Sequence, residues 1–451
     1  MRGGIVADRI SRRARRPRGA RLCLRRVRSY AGPHVSTPPV PEWSAAEIER
    51  LLAPVVRELM PPTALSTLPY DLNAGVPDRE TLPWRELAAA ATRVLEADPG
   101  GALTYGGAQG YEPLRAWIAA RQAQETGLAL DAAHITLTSG SAHAIDNIAA
   151  TFVAPGDVVV VGAPTYPGAL RTFRARGARL VAVPQDDDGL QMAPLAAALE
   201  RQRASGAPAK LIYVIANYDN PSGSTLPLRR REELARIAAR HRALVVEDDA
   251  YTGIDLEGPP PPSLFGVAGG QGMLRIGTFS KTIATGLRVG WVVASPAMIE
   301  RLVYMRFDNG SSPLLHRMVL AYLQSGAHER HVAMLRDLYR ERRDAAAAAL
   351  VEQCEPYLTF RKPAGGFFHW LRLRDGLDAV AVARAAAQRG VAVTPGRNYF
   401  AAGGGEGNLR LVYSALPVAR LQEAIALLGA ALAEVASDGG ERAVDGGTGG
   451  A

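Results

Sequence analysis

Residues 278–291 read Thr-Phe-Ser-Lys-Thr-Ile-Ala-Thr-Gly-Leu-Arg-Val-Gly-Trp, and apolar runs flank them. Met273 to Gly277 before this stretch and Val289 to Ala294 at its end have the composition of buried strands. Lys281 is therefore predicted to lie in a turn of small residues between two core strands. Burying an unpaired ammonium group is costly, so such a lysine needs a partner. A covalent partner is one solution, because an amine held as a Schiff base can carry an aldehyde cofactor.

The residues around Lys281 favour this interpretation over an ordinary lysine in a surface loop. Thr278, Ser280 and Arg288 supply two hydroxyls and a guanidinium that could hold the anionic end of a cofactor. A surface loop is the commoner explanation for a lone lysine, but it does not account for the hydroxyls and the Gly-Leu-Arg-Val-Gly segment around this one.

The pattern Ser-Lys-x-x-x-x-Gly-Leu-Arg-x-Gly-Trp over residues 280–291 resembles the pyridoxal phosphate segment of class I/II aminotransferases. These enzymes have the type I fold of pyridoxal-phosphate proteins. The resemblance extends over roughly Leu68 to Val435, and it is closest to the branch of 2-aminoadipate and aromatic or branched-chain aminotransferases. The same branch includes the aminotransferase-like domain of MocR-type transcription regulators. The resemblance implies that Lys281 holds pyridoxal 5'-phosphate.

Length and composition are compatible with such an enzyme. A chain of 451 residues with 47% hydrophobic and 21% charged residues can bury a large core. No apolar run is long enough to cross a bilayer. Two cysteines cannot form a disulfide framework, so we expect a reducing, cytoplasmic location.

The net charge of +8 comes from the first 30 residues, which hold 11 Arg and one Asp. The remaining chain is close to neutral, so we expect no nucleic-acid partner and no membrane partner. We predict that residues 1–43 are a disordered Arg-rich tail with a Pro-rich linker, and that residues 437–451 are a second disordered tail.

A repeated strand-turn-helix pattern begins near His134 and predicts an α/β fold. Ile135 to Thr138 is a predicted strand, and the turn after it leads into a helix through Ser141 and Ala142. A glycine-containing turn at a helix N-terminus offers backbone N–H groups to a phosphate. Tyr166 follows the next strand, and by resemblance it stacks on the pyridine ring of the cofactor.

Two further strands are predicted to end in polar side chains. Asn220 belongs to an Asn-Pro-Ser-Gly turn that resembles the family's signature, in which the asparagine donates to the phenolic oxygen of the cofactor. Leu244 to Asp249 is an apolar strand that ends in carboxylates. By resemblance, the residue three before Tyr251 pairs with the ring nitrogen, which is Asp248 and not Asp249. Tyr251 would join Asn220 at the phenolic oxygen. A metal site at the paired aspartates is disfavoured, because no suitable third ligand lies near in sequence.

Three residues outside this region match the family by position. By resemblance, Arg410 clamps the substrate α-carboxylate, and a planar guanidinium suits that contact. Gly75 matches the glycine beside the same carboxylate. Tyr105 matches the tyrosine that reaches across a homodimer interface to the cofactor phosphate of the partner subunit. Each of them, taken alone, could equally be a surface, turn or packing residue, and we interpret His143 as a structural helix residue.

We therefore predict a type I pyridoxal-phosphate-enzyme fold with a mostly parallel seven-stranded sheet and a small α+β domain. The predicted large domain spans 101–325, and the small domain spans 326–436 with a contribution from 44–100. Within these ranges we predict helices over 45–58, Ala297 to Gln324 and His328 to Glu352.

The predicted reaction is transfer of an amino group between an L-amino acid and a 2-oxo acid, with Asn220 also near the substrate. Three alternatives stay open. A pyridoxal-phosphate cyclase, lyase, decarboxylase or oxidase would keep the same residues. The others are a regulator of the MocR type and a fold that has lost its activity, and the last is disfavoured because no expected cofactor ligand is missing. The sequence does not identify the amino donor.

Overall fold

The structure is a computed structural model that describes residues 42–59, 66–374 and 376–445. The predicted Arg-rich tail, nearly all of the predicted linker and residues 446–451 lie outside this range. The chain divides into two units, Met1–Leu52 and Ala53–Ala451. The first unit contributes helix α1, and all other elements belong to the second.

The described residues form fifteen α-helices and fourteen strands. The helices are α1 (Ala45–Leu51), α2 (Pro54–Glu58), α3 (Trp84–Ala97), α4 (Pro99–Leu103), α5 (Glu112–Thr126), α6 (Ser141–Phe152), α7 (Pro167–Ala175), α8 (Met192–Ala204), α9 (Leu228–His241), α10 (Leu264–Val267), α11 (Pro296–Tyr304), α12 (Pro313–Gln324), α13 (Ala327–Cys354), α14 (Ala379–Gln388) and α15 (Val418–Asp445). The strands are β1 (Tyr70–Asp71), β2 (Ile135–Thr138), β3 (Val158–Ala163), β4 (Arg179–Asp186), β5 (Gly189–Leu190), β6 (Ala209–Val214), β7 (Leu244–Asp249), β8 (Met273–Thr278), β9 (Gly290–Val293), β10 (Leu358–Phe360), β11 (Phe368–Leu373), β12 (Val391–Ala392), β13 (Thr394–Pro395) and β14 (Asn408–Val412).

The central sheet has the strand order β2-β9-β8-β7-β6-β3-β4-β5. Strands β8, β7, β6, β3 and β4 are parallel neighbours, and β9 runs antiparallel to both β2 and β8. The predicted seven-stranded, mostly parallel sheet is therefore confirmed, and the two-residue β5 is added at one edge as an antiparallel hairpin with β4. Parallel strands require crossover helices, which is why strands and helices alternate along this part of the chain.

Helices cover both faces of the central sheet. Val160, Ile212 and Val245 belong to one core cluster, whereas their neighbours Val159 and Val246 belong to another. Successive side chains of a strand point to opposite faces, so these two clusters are the two sides of the sheet. A strand buried on both faces is apolar throughout, as Val158 to Val161 is.

A third core cluster lies around the four-stranded sheet of order β10-β11-β14-β13. Helices α13, α14 and α15 pack together beside it. Strand β1 pairs with β12, which joins residues 70–71 to the C-terminal part of the chain. Helix α3 lies within the predicted 44–100 segment but packs on α12, because its Ala90 belongs to the core of the central sheet. The limits of the large and small domains stay predictions.

Two predicted helices and one predicted disordered tail differ from the structure. Residues 45–58 form two helices, because Pro54 forces Ala53 into an extended conformation. The single helix predicted from Ala297 to Gln324 is wrong: it is interrupted at 305–312, where Asn309 and Gly310 have positive φ angles of 54° and 92°. Helix α15 runs to Asp445, so residues 437–445 are helical rather than a disordered tail, since extending an existing helix is easier than starting one.

Candidate active site

Polar side chains from three adjacent parallel strands meet at the carboxyl edge of the central sheet. Asn220 follows β6, Asp248 lies at the end of β7, and Lys281 follows β8. Strand pairing aligns these ends, with Val214 opposite Glu247 and Asp248 opposite Ile276. This edge is where open α/β sheets bind ligands.

Lys281 provides an amine with a perturbed pKa. Its Nζ donates a hydrogen bond to the carbonyl of Gly75 at 2.7 Å, and it lies 5.7 Å from the ring centre of Tyr251. The pKa of Lys281 is lowered to about 8, chiefly by burial and also by Arg410 and Arg288, while Asp248 acts in the opposite direction. A larger fraction of this amine is unprotonated near neutral pH than of an ordinary lysine, which favours attack on a carbonyl carbon.

Asp248 is buried with one oxygen bonded and one without a partner. Its Oδ2 accepts a hydrogen bond of 2.6 Å from the hydroxyl of Tyr213, whereas Oδ1 has no hydrogen-bond partner. Burial raises the pKa of Asp248 to about 6, and Asp249 adds to this effect, while Tyr213 and Lys281 counteract it. A buried carboxylate oxygen without a donor fits the protonated ring nitrogen of a pyridine.

Asp249 has a different environment because it points to the other face of β7. It forms an ion pair with the buried Arg275 and accepts hydrogen bonds from Asn217 and Thr252. Although burial opposes ionisation, Arg275 and these hydrogen bonds hold the pKa of Asp249 below its usual range. The alternation of side chains along the strand thus separates a structural carboxylate from one with a bare oxygen.

The start of α6 forms a cradle for an anion. Gly140, directly before the helix, has a φ of 81°, and a Cβ there would lie 2.7 Å from Nη2 of Arg288. The Arg288 guanidinium donates a hydrogen bond to the carbonyl of Ser139 at 3.0 Å. Ser141 and Ala142 open the helix, so their free backbone N–H groups add to the positive field. His143 serves this turn structurally, because its Nδ1 accepts a hydrogen bond from the N–H of Ser139.

Two hydroxyls before Lys281 complete the turn. The hydroxyl of Thr278 lies 2.9 Å from Oγ of Ser280 and accepts the backbone N–H of Ser280 at 3.1 Å. The Thr278 hydroxyl also donates to the carbonyl of Val289 at 3.2 Å, so its one proton is shared between that carbonyl and Ser280. Thr278 therefore holds the position of Ser280 in the turn.

Arg410 joins the C-terminal sheet to the site. It donates to Oδ1 of Asn220 at 2.9 Å and to the carbonyl of Asn73 at 2.5 Å. Its guanidinium lies 4.5 Å from the ring centre of Phe368, and its Nε has no hydrogen-bond partner. A buried guanidinium with an unused N–H can accept a carboxylate ligand.

The remaining predicted residues lie as follows. Tyr251 is buried, and its ring packs edge-on against Phe367 and Phe368. Tyr166 directly precedes α7. Burial raises the pKa of Tyr166 and Asp248 raises it further, while Arg288 and Arg410 lower it. A Cβ on Gly75 would lie 3.0 Å from the Phe368 ring, so this backbone passes the ring closely.

Tyr105 is the predicted residue that stays apart from the others. Its side chain is 86% exposed, so it lies on the surface of this chain and not among the buried groups. Leu103 and Phe307 are also largely exposed. The loop of Phe307 touches the loop of Tyr105, since a Cβ on Gly310 would lie 2.2 Å from the carbonyl of Gly107.

Tyr213 is a residue of the site that the sequence analysis missed. Its hydroxyl is a polar group in the buried part of β6, and buried tyrosine hydroxyls require a partner. That signal pointed to a nearby acceptor, although it did not identify Asp248. Across the described ranges, no three His, Cys, Asp or Glu side chains form a group suited to a metal ion.

Comparisons with known proteins identify the family of this chain. Residues 69–428 match the family Aminotransferase class I and II. The chain is 33% identical to a 2-aminoadipate transaminase of Thermus thermophilus over 85% of this chain and 94% of the relative. It is 31% identical to an aromatic-amino-acid aminotransferase of Thermococcus litoralis over 84% of this chain and 91% of the relative.

Among solved structures, the chain is similar to a kynurenine aminotransferase of Pyrococcus horikoshii in complex with PMP. The TM-score is 0.81 and the identity 29%, over 86% of this chain and 98% of that one. The family match covers well over half of the chain, and both relatives are aligned over most of their own length. This chain therefore belongs to the class I and II aminotransferases, pyridoxal-phosphate-dependent enzymes that move an amino group between an L-amino acid and a 2-oxo acid.

Proposed function

We propose that Lys281 is the residue that binds pyridoxal phosphate covalently and then acts as the proton carrier of the transamination. The observation that carries this proposal is the pairing of a lysine of lowered pKa with Asp248, whose Oδ1 is buried and unbonded. The other assignments keep the sequence-based roles: Asn220 and Tyr251 at the phenolic oxygen, Tyr166 on the ring face, Ser141, Ala142, Thr278, Ser280 and Arg288 around the phosphate, and Arg410, Gly75 and Asn220 around the substrate.

Bound pyridoxal phosphate supplies an electron sink for the charge that develops at the substrate Cα. With the cofactor bound, Asp248 would hold a proton on the ring nitrogen by offering it a negative oxygen. Lys281 Nζ would accept the proton from the substrate Cα and act as its carrier. Arg410 fixes the substrate α-carboxylate, which orients the bond to be broken.

We propose that the amino donor is an L-amino acid with a long side chain, of the 2-aminoadipate or aromatic class. The support is the similarity to the two relatives named above. The aromatic side chains of Phe368 and Tyr399 around Arg410 are compatible with either donor.

We further propose that the active unit is a homodimer in the cytoplasm, with Tyr105 contributing to the site of the partner subunit. The exposed apolar side chains around Tyr105 support a protein partner at this surface. The low cysteine content supports a reducing compartment. No helix in the described part of the chain is both long enough and apolar enough to cross a membrane.

The test is an amino-transfer assay with a panel of donors against 2-oxoglutarate and pyruvate. We expect equal amounts of new amino acid and new 2-oxo acid, with 2-aminoadipate or an aromatic donor giving the highest kcat/KM. Loss of the donor with release of CO2, ammonia or peroxide, and without a new amino acid, would instead indicate another pyridoxal-phosphate reaction class. The Lys281→Ala variant is the negative control.

A further inference from the structure

Tyr213 is the next-to-last residue of β6, beside the strand that carries Asp248. Its side chain is completely buried, and its ring packs edge-on against Phe173 with ring centres 5.8 Å apart. The hydroxyl donates the 2.6 Å hydrogen bond to Oδ2 of Asp248. A carboxylate is planar, so fixing one oxygen limits where the other can point.

We propose that Tyr213 is a positioning residue for the cofactor: its hydroxyl fixes the plane of the Asp248 carboxylate and stabilises its ionised form, so that Oδ1 remains free for the ring nitrogen. This inference rests on the proposed function of Asp248. It adds a residue that does not itself touch the cofactor, and it assigns separate roles to the two carboxylate oxygens.

The chemistry of the donor explains why a tyrosine suits this position. Burial, with the nearby charge of Asp248 adding to it, raises the pKa of Tyr213 well above its ordinary value, so the phenol stays neutral. A neutral donor stabilises a carboxylate without cancelling its charge. Asp249 shows the contrast, because its partner Arg275 is a cation that neutralises it. A cation bonded to Asp248 would compete with the protonated ring for the same negative charge.

The charged and titratable groups that face Asp248 come from several elements. Asp249 on the same strand raises its pKa, Lys281 lowers it, and Asp219, Tyr166 and Tyr251 are close enough for Asp248 to affect their own pKa values. Burial is the largest influence, and the hydrogen bond from Tyr213 works against it. Removing that hydrogen bond moves the pKa of Asp248 further up, so a larger neutral fraction is present near pH 7.

The experiment compares the affinity of cofactor-free protein for pyridoxal phosphate in Tyr213→Phe and in wild type. A hydrogen bond to a charged group is worth about 1.5–3 kcal/mol, so we expect the dissociation constant to rise about 10-fold to 100-fold. The pH at which binding weakens on the acid side should also move upward. A merely structural defect would weaken binding equally at all pH values.

Tyr218→Phe is a matched control, because Tyr218 also donates to a buried carboxylate, at 3.0 Å to Asp255. This control should leave the acid-side midpoint unchanged. The second comparison is Asp248→Asn with and without Tyr213→Phe. If Tyr213 acts through Asp248, the tyrosine substitution adds less than about twofold in that background.

The outcomes separate the two proposals. Wild type that fails to bind pyridoxal phosphate overturns the proposed function. Wild type that binds, together with a Tyr213→Phe variant of equal affinity, overturns the role of Tyr213 alone. If Tyr213→Phe does not fold, recovery of folding in the double variant supports the inference. Failure of both variants to fold shows that Tyr213 is a packing residue.

Discussion

At the scale of single residues, the pleat of β7 gives two neighbouring aspartates opposite electrostatic roles. Asp249 shares a face with the buried Arg275, and its charge stabilises the fold. Asp248 faces Lys281 and has an oxygen with no hydrogen-bond donor, so its negative charge lowers the stability of the cofactor-free protein. The unpaired oxygen makes Asp248 suited to bind a cation, because only a ligand can supply the missing hydrogen-bond donor.

We predict that Asp248→Asn and Asp249→Asn change stability in opposite directions. The pKa of Asp248 rises from 3.8 to about 6 on folding, so its ionisation destabilises the fold as the pH rises through 6. Asp248→Asn should therefore stabilise the cofactor-free protein at pH 7 by the order of 1–3 kcal/mol. Asp249→Asn should destabilise it by about 3 kcal/mol, because Arg275 loses its charged partner.

Urea unfolding of the cofactor-free variants at pH 5 and pH 7 measures both effects. The gain for Asp248→Asn should shrink at pH 5, where the native carboxyl is largely protonated. Turnover of folded, cofactor-loaded protein should fall at least about 100-fold for Asp248→Asn and much less for Asp249→Asn. A larger loss for Asp249→Asn would mean that the register of β7 is misassigned.

We also predict that the capture of pyridoxal phosphate by Lys281 depends on pH with a midpoint near 8. Burial and the nearby guanidinium of Arg410 lower the pKa of the amine to about 8, and only the unprotonated amine attacks the aldehyde. The rate of covalent capture should rise with pH through 8 and then level off. Stopped-flow absorbance measures the rate, and borohydride reduction followed by peptide mapping identifies the residue.

Lys281→Ala is the control for this experiment and should lose both the covalent link and nearly all turnover. A borohydride-reducible adduct in that variant would mean that another amine holds the cofactor. A midpoint near the ordinary lysine value would mean that Lys281 is not desolvated as the structure indicates.

At the scale of elements, the turn before α6 depends on a glycine. Gly140 has a φ of 81° and a ψ of 172°, a region that is essentially restricted to glycine. Arg288 lies directly over the position of the absent Cβ. The turn can therefore bring the helix N-terminus and the guanidinium to one point only if residue 140 has no side chain.

We predict that Gly140→Ala weakens pyridoxal phosphate binding by about tenfold or more, through backbone strain of about 1–3 kcal/mol and displacement of Arg288. Equilibrium dialysis of the cofactor measures the affinity. Gly127→Ala is a suitable control, since Gly127 also has a positive φ but a Cβ there meets no atom within 4 Å. Equal effects of the two substitutions on cofactor affinity would contradict a specific role for the α6 turn.

The elements also show which parts of the fold the sequence could predict. Ile135 to Thr138 alternates apolar residues with threonines and is a strand with the predicted bounds, because β-branched residues such as Ile and Thr favour strands. The interruption between α11 and α12 was missed, since helical spacing continues on both sides of it. Asn309, Gly310 and Pro313 were the local signals of that break.

The sequence predicts the site residues that end a predicted strand or follow one. Lys281, Asp248 and Asn220 come together because parallel strands end at one edge. The hydrogen bond from Tyr213 to Asp248 joins residues 35 positions apart, and it depends on the relative register of β6 and β7. No local pattern encodes that register, so the contact required the structure.

At the scale of the whole molecule, the loop after β1 links the two functional cations. The carbonyl of Gly75 accepts the Lys281 amine, and the carbonyl of Asn73 accepts the Arg410 guanidinium. These two carbonyls accept hydrogen bonds from the amine that we assign to the cofactor and from the guanidinium that we assign to the substrate carboxylate. A covalent bond from Lys281 to the cofactor would compete with the Gly75 contact, whereas Arg410 keeps an unbonded Nε–H for a carboxylate.

The surface around Tyr105 leads to a prediction about assembly. Tyr105 is 86% exposed. Leu103, two residues before it, and Phe307, on the loop that touches the Tyr105 loop, are also largely exposed. A second copy of the chain that covers this surface would bury these side chains and bring the Tyr105 hydroxyl to the partner's cofactor phosphate. A phosphate at a subunit boundary can gain such a donor at little extra ordering cost once the dimer has formed.

We predict that mixing Tyr105→Phe chains with Lys281→Ala chains restores activity at limiting pyridoxal phosphate. In a mixed dimer, one site combines an intact Lys281 with an intact Tyr105 from the partner, while the other site lacks both. Activity should therefore exceed the sum of the separate variants, up to about a quarter of the wild-type value when chains exchange at random. Sedimentation and mass spectrometry establish that chains have exchanged. If proven mixed dimers are no more active than their parents, or if wild type is fully active as a monomer, Tyr105 serves only its own chain.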